Sequence, residues 1–175
     1  MRSAGQQPPA VSLDAAHFRE ALSRFASGVC VMTTIDADGL PAGVTISSFA
    51  SLSLSPPLVL FCIGKNSTSL PAWLIASRFS VNVLGAGQEA LCELFASQAA
   101  DKFASVRGSI GDNGCFRLAG ALATLECRRT GIHEEGDHYI VVGEVERTEF
   151  GDNSGPLLRF RGAYRHLADP PRSNR

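Results

Sequence analysis

The sequence predicts an α+β fold, an antiparallel sheet closed into a small barrel with a few helices at its corners. Three observations predict it. Short β-branched and aromatic runs recur along the chain, bounded by glycine, proline and aspartate turns. The segments with helical spacing are few and short. No repeat of solenoid length and no low-complexity segment interrupts the pattern. At 175 residues, 45% hydrophobic and 19% charged, the chain is most simply one domain with enough apolar surface for a core.

The elements follow in order. Asp14 can cap a first helix over residues 15–26, with Phe18, Leu22 and Phe25 on one face and Gly28 as a stop. Residues 29–35 are β-branched and strand-like. Asp36-Ala37-Asp38-Gly39 is a turn, so residues 40–49 return antiparallel. Residues 44–54 alternate hydroxyls with apolar side chains through part of their length, as on a strand with one greasy and one polar face. Pro56-Pro57 is then expected to stop the pairing, because proline has no N–H to give.

Residues 58–63 read as a buried strand that ends in the loop Gly64-Lys65-Asn66-Ser67-Thr68-Ser69. Ser69 or a neighbour caps a short helix over 70–76, with Pro71 tolerated in its first turn. A strand over 79–84 and a helix over 88–96 follow. Residues 98–114 read as irregular surface with a basic and aromatic cluster, Lys102-Phe103 and Arg107. Residues 118–129 and 138–150 form a long hairpin around 130–137, and 157–160 and 162–167 finish the sheet. Residues 1–13 are expected to be a flexible N-terminal segment, 14–167 the folded domain and 168–175 a tail.

Bulk properties exclude several functions. A net charge of −1 gives no basic footprint for nucleic acid. No apolar run approaches the length of a membrane span. Residues 1–11 are polar and contain proline, so no secretory leader is expected. Five scattered cysteines without a C-x-x-C pair argue against a disulfide framework or a zinc site and for a reducing, cytoplasmic setting. Cys30 and Cys62, in strand-like runs, read as small core hydrophobes.

Two motifs mislead. Gly85-Ala86-Gly87-Gln88-Glu89-Ala90 fits a dinucleotide fingerprint between a strand and a helix. A Rossmann unit needs a second parallel strand ending in an acid about 20 residues on, and residues 101–112 are polar and broken by glycine. The expectation is an ordinary strand-to-helix turn. His133-Glu134-Glu135-Gly136-Asp137-His138 resembles a zinc-protease motif, but its histidines are five apart and Gly136 breaks any helix. His133 is read as a solvated turn residue. No G-x-S-x-G elbow supports covalent hydrolysis.

The stretch from Gly43 to Ser69 carries the chemistry. Hydroxyl-lined strands followed by a loop of small donors and one lysine suit a ligand with an oxygen-rich ring and a phosphate. The same residues are also ordinary on the solvated face of an antiparallel sheet, and composition alone favours that plainer reading.

The order of the pieces adds a resemblance. Gly43-x-Thr45-x-Ser47-Ser48-Phe49-x-Ser51-x-Ser53-x-x-Pro56-Pro57-Leu58-Val59 resembles the signature of the flavin reductase-like, FMN-binding split-barrel family. Residues 25–34 (FASGVCVMTT), 79–84 (FSVNVL) and 88–96, Gly136-Asp137-His138 and Gly162-Ala163-Tyr164 resemble that family in its order, over about 18–167. The resemblance implies a split β-barrel, a homodimer with flavin near the interface, and hydride transfer from NADH or NADPH to FMN or FAD. It also implies a partner, a separate flavin-dependent monooxygenase that takes the reduced flavin. Flavin storage or sensing without fast turnover, or reduction of another small acceptor, stays open as an alternative.

By the same resemblance, Thr45, Ser47, Ser48, Ala50 and Ser53 line the flavin ring edge and ribityl chain. Lys65, Ser67 and Ser69 meet the phosphate, and Phe103 and Arg107 lie at the far end of the flavin. His138 acts on the nicotinamide side with Tyr164 beside it. As a lone histidine, His138 would read as a turn-edge hydrogen bond, and only the Gly-Asp-His match makes it functional.

Overall fold

In the computed structural model, which describes residues 14–99, 101–151 and 155–167, three residues join the two opposite edges of one sheet. The elements in chain order are α1 Ala15–Ser23, β1 Ser27–Gly28, β2 Cys30–Ile35, β3 Pro41–Ile46, β4 Ala50–Leu54, β5 Pro57–Gly64, α2 Leu70–Ile75 and β6 Arg78–Val83. Then come α3 Glu89–Ala96, β7 Gly108–Ile110, β8 Phe116–Leu118, β9 Ala123–Glu135, β10 His138–Phe150, β11 Leu158–Phe160 and β12 Ala163–Arg165. Seven strands form an antiparallel sheet in the order β3-β2-β6-β9-β10-β5-β4.

Ile46 ends one edge strand and Ala50 begins the other. Four peptide steps span at most about 15 Å. Seven strands laid flat at about 4.8 Å spacing would set the edges roughly 29 Å apart. The sheet therefore has to curl until its edges approach.

The curled sheet encloses the larger core. Cys30 and Met32 of β2, Val59, Phe61 and Ile63 of β5, Phe79 and Val81 of β6, Cys127 of β9 and Val141 of β10 all bury there. Alternation along β5 gives this pattern directly, since every second side chain faces inward. Trp73 of α2 completes the core edge-on to Phe61 at 5.1 Å and to Phe79 at 6.2 Å. Arg129 donates to the Trp73 and Leu74 carbonyls at the end of that helix.

A second core lies on the other face of β2. Val29 and Val31 pack there with Leu84, Cys92, Phe95, Leu118 and Leu157. Asn82, fully buried, ties the layers together: its Nδ2 donates to the Val31 carbonyl and its Oδ1 accepts from Leu118 N–H. Gly43 lets α3 sit close on β3, because a Cβ there would lie 2.7 Å from Phe95.

Most expected elements are present, with corrections at their boundaries and pairings. Asp14 caps α1 by accepting from Ala16 N–H, as expected. The helix stops at Ser23, well before Gly28, where the Ser23 hydroxyl bonds back to the Glu20 carbonyl. No residue of α1 is buried; Phe18, Leu22 and Phe25 are 48%, 56% and 79% exposed. The run over 40–54 is two strands, because β2 offers no partner beyond Cys30, which faces Ile46. Pro56-Pro57 does not end the pairing: Pro57 opens β5 opposite Leu54, so the prolines turn a hairpin.

The strand expected over 118–129 is divided by Gly120, at φ +74°, into β8 and β9. β9 continues to Glu135, so the long hairpin turns only at Gly136-Asp137, with Gly136 at φ +57°. Residues 98–114 are irregular except for β7, which pairs with β8. The last two strands do not finish the main sheet: β11 pairs with β1 and with β12 in a separate sheet of order β1-β11-β12. The Gly85-Ala86-Gly87 segment is a turn between β6 and α3, and the next strand beside β6 is antiparallel, so no Rossmann crossover exists.

All five cysteines are free. Burial pushes the Cys30 and Cys127 thiols up to about 12 and Cys115 to about 11, so these are packing groups. Cys62 is only half-buried, unlike the core residue expected. Among the described residues no helix is long and apolar enough to cross a membrane, and no group of metal-ligating side chains is present. The expected terminal segments, 1–13 and 168–175, lie outside the described residues.

The register slips between Val142 and Gly143, where the β10 backbone comes against the buried Phe79 ring. A Cβ on Gly143 would sit 2.4 Å from Phe79 Cζ. Gly143→Ala should therefore destabilise the protein by about 1–3 kcal/mol through overpacking. Urea unfolding should show a lower midpoint at unchanged slope. An unchanged midpoint would show that Phe79 has room to move.

Candidate functional site

An open cleft of about 700 Å³ lies between the start of β3, the entry to α2 and the loop after α3. Its lining includes Gly43, Thr68, Ser69, Gln98, Lys102 and Phe103. Local chemistry sets each wall. Asp101 Oδ1 accepts from the Phe103 and Ala104 amides, both at 3.0 Å, and so folds the loop back on itself. Phe103 is then wedged edge-on between Phe95 at 5.0 Å and Phe116 at 5.3 Å. The bare Gly43 admits both the Phe95 and Phe103 rings against β3.

Lys102 is the cation of this cleft. Its Nζ donates to the Phe95 carbonyl at 3.0 Å, and no ion pair to it forms among the described residues. Partial burial lowers its pKa, because a half-desolvated ammonium lacks a compensating carboxylate. Two of its three donors are left for a ligand. On the opposite wall Ser69 Oγ lies 3.1 Å from Ser67 Oγ and accepts from Trp73 Nε1 at 3.3 Å. Buried Trp73 thus holds the hydroxyl at the cleft edge.

The sequence candidates fall into four places. Ser69 and Phe103 line the cleft, with Ser67 just behind Ser69. Ser47, Ser48, Ala50 and Ser53 run along the crossing from β3 into β4. Ser48 Oγ accepts from Cys62 N–H at 2.9 Å and lies 3.2 Å from the Cys62 carbonyl, so it bridges the crossing to β5. Thr45 and Tyr164 meet at Cys92: Thr45 Oγ1 donates to its carbonyl at 2.6 Å, and the Tyr164 hydroxyl to its sulfur at 3.1 Å. Lys65 and His138 meet at the tip of the β9–β10 hairpin, where Gly64 stands opposite His138.

At that tip Lys65 Nζ lies 2.5 Å from Glu134 Oε1, and His138 Nδ1 lies 2.7 Å from Asp137 Oδ1. The hydrogen bond to His138 holds the Asp137 carboxyl below its usual range. Arg107 is exposed and lies outside the cleft lining. His133 is not the turn residue expected but a strand residue on β9 opposite Ile140. Lys102, Thr68, Gly43 and Gln98 were not among the candidates. For Lys102 the signal was its place beside Phe103 in a basic and aromatic pair; the others offer backbone or short polar groups that leave no mark in a sequence.

An antiparallel α+β domain with an open cleft that presents hydroxyls, one aromatic edge, a lysine without an ion pair and two aspartates, Asp36 and Asp101, has the form of a small-molecule binding domain. Comparison with known proteins makes this specific. The family described as flavin reductase like domain matches residues 22–168. The FMN reductase (NADH) SmoA of Agrobacterium fabrum is 42% identical over 147 residues, covering 84% of this chain and 83% of its own. The flavin-dependent monooxygenase reductase subunit HsaB of Rhodococcus jostii is 41% identical over 155 residues, covering 89% and 79%. The Streptomyces globisporus NADH:FAD oxidoreductase SgcE6, solved with NAD and FAD fragments, superposes with TM-score 0.85 at 36% identity, covering 96% of this chain and 99% of that one. The chain belongs to the flavin reductase-like family.

The Tyr164–Cys92 contact has a measurable signature. Donation to sulfur, then burial, pushes the Tyr164 phenol from 10.0 up to about 12. Because the folded value is raised, this contribution to stability is intact below pH 10 and is lost as pH rises through about 12. Absorbance titration of tyrosinate in the native protein and in Tyr164→Phe should assign the missing phenol to about pH 12. Loss of a phenol that titrates at the ordinary value would mean that the hydroxyl is free in solution.

Proposed function

We propose that the protein is an NAD(P)H-dependent flavin reductase that supplies reduced FMN or FAD to a separate flavin-dependent monooxygenase. The observation that carries the reading is the cleft, whose partly desolvated lysine has no carboxylate partner among the described residues and faces fixed hydroxyls. The fit to a flavin is chemical. The volume of about 700 Å³ lies within the usual range for cofactor pockets. An unpaired cation beside Thr68 and Ser69 suits a phosphate. A bound flavin supplies the redox chemistry by taking a hydride from the reduced nicotinamide.

The protein's own groups bind and orient. Lys102, Thr68 and Ser69, with Ser67 behind, hold the phosphate. Thr45, Ser47, Ser48, Ala50 and Ser53 line the ring edge and ribityl chain. The Thr45 proton is already given to the Cys92 carbonyl, so its oxygen accepts from a ring N–H. Phe103 packs at one end of the flavin. His138 contacts the nicotinamide and helps hold it at near-attack distance. Transfer to an oxygenase is supported by HsaB, the reductase subunit of a flavin-dependent monooxygenase.

The curled sheet with helices at its ends is read here as a split β-barrel, and the molecule as a homodimer. Exposed Phe18 and Leu22 on α1, Phe25 just after it, and Leu54 on edge strand β4 at 94% exposure are apolar side chains that the described residues leave uncovered. Light scattering at micromolar protein should give twice the chain mass; a monomer mass would overturn the dimer.

The activity test is direct. Purified protein with free FMN or FAD should oxidise NAD(P)H over many turnovers. A tightly bound yellow complex without turnover would mark a storage or sensing module instead. Lys102→Ala should weaken FMN about tenfold, the worth of one partly screened charge-assisted contact, and leave riboflavin binding nearly unchanged. Equal loss for both ligands would place Lys102 away from the phosphate.

A further inference from the structure

We propose that Lys65 and Glu134 form a clasp that positions His138, so that Lys65 serves the nicotinamide half of the reaction and not the flavin phosphate. The proposal rests on the flavin reductase reading for its kinetic consequence, and on geometry for the clasp itself.

Three links run from Lys65 to the hairpin tip between Glu134 and Tyr139. Its N–H donates to the Asp137 carbonyl at 2.9 Å. Its ammonium meets Glu134 Oε1 at 2.5 Å and lies 5.8 Å from the Tyr139 ring centroid. Glu134 precedes the turn, Asp137 forms it and Tyr139 follows it, so one side chain and its own amide hold both arms of the hairpin. Asp137 in turn grips His138 Nδ1 at 2.7 Å. The other ring nitrogen lies over Gly64: a Cβ there would come 3.5 Å from His138 Nε2 and 2.8 Å from Asn66 Oδ1. The ring thus packs over the Gly64 backbone and depends on the residue after Gly136 being held.

The same geometry argues against phosphate at Lys65. Its ammonium already has a carboxylate partner, and a phosphate would have to displace Glu134 while facing the nearby Asp137 as well. The hydrogen bond to Glu134 raises the Lys65 pKa and the bond to Lys65 lowers that of Glu134, so both stay charged through neutral pH. Lys102 forms no ion pair among the described residues, although Asp36 and Asp101 also line its cleft. An exposed ion pair adds little to global stability. The clasp therefore shows in the placement of His138 and not in the melting temperature.

The test uses the full chain and the variants Lys65→Met, Glu134→Gln, Lys65→Arg, His138→Ala and the charge swap Lys65→Glu with Glu134→Lys. Kinetics with NADH varied at fixed FMN, FMN affinity by fluorescence, and the His138 imidazole resonances by NMR are read for each. Lys65→Met and Glu134→Gln should each lower kcat/KM for NADH by about three- to tenfold, in the same direction as His138→Ala. Both should shift the His138 resonances, with FMN affinity within about twofold of the native protein. Lys65→Arg and the charge swap should restore most of the loss, while His133→Ala should change neither readout. Weaker FMN binding in Lys65→Met with riboflavin spared and NADH kinetics normal would overturn the clasp in favour of a phosphate contact. Unchanged NADH kinetics and resonances in both single variants would also overturn it. If the native protein does not oxidise NADH with flavin, the enzymatic reading falls, and the imidazole resonances alone still decide whether the clasp exists.

Discussion

The fold depends on the crossing at Ser47-Ser48-Phe49, which carries the chain from one edge of the sheet to the other. Three residues cannot bridge a flat seven-stranded sheet, so curvature is imposed by connectivity before any side chain packs. Curvature then decides which side chains meet. It brings the inward faces of β2, β5, β6, β9 and β10 into one core and leaves an end that Trp73 fills. Ser48 closes the crossing with a single hydroxyl, bonded to both backbone groups of Cys62. A connection that short exposes backbone at the join of two strands, and hydroxyls are the smallest groups that can satisfy it.

Curvature also frees the outer face of β2 for a second layer. Val29 and Val31 turn outward while Cys30 and Met32 turn inward, so this strand, like its neighbour β6, is buried on both sides. Buried polar groups accompany that double burial, and those of β2 and β6 find partners: Asn82 pairs with Val31 and Leu118, Thr33 with the Phe116 carbonyl, Thr34 with the Arg78 carbonyl. The second layer sets Phe95 against Gly43, and Phe95 in turn supports Phe103 and accepts Lys102 at its carbonyl. The cleft is therefore a by-product of how α3 seats on β3, and its cation is oriented by a helix terminus and not by another charge.

Element types were legible because periodicity and turn residues are local. Phe61 and Ile63 alternate in the sequence as they do in the core, and Asp14 caps the helix it precedes. Pairings were less legible. The run from Val44 to Leu54 has one continuous pattern, and only the end of β2 at Cys30 divides it. The last two strands carry nothing that distinguishes the main sheet from a separate one with Ser27 and Gly28. At the site, the hydroxyl-rich stretch and Ser69 were visible as chemistry. Lys102 was not, because its significance comes from burial beside Phe95, seven residues away, with no ion pair to it among the described residues.

The two lysines show why residue type alone does not tell how available a cation is. Lys65 stands in a glycine and serine loop of the kind that receives phosphates, and Glu134, sixty-nine residues on, pairs with its ammonium. Lys102 stands in a stretch with no such loop, and partial burial has removed water from it without supplying a counter-ion. In water an ammonium is solvated and a passing anion gains little from it; half-desolvated and unpaired, it gains more from an arriving anion than an exposed, paired one can. Availability of a cation is thus a property of its surroundings. It is fixed here by two tertiary contacts, the reach of the β9–β10 hairpin to Glu134 and the fold of the loop at Asp101. The first holds one lysine to the architecture beside His138, and the second leaves the other facing the cleft.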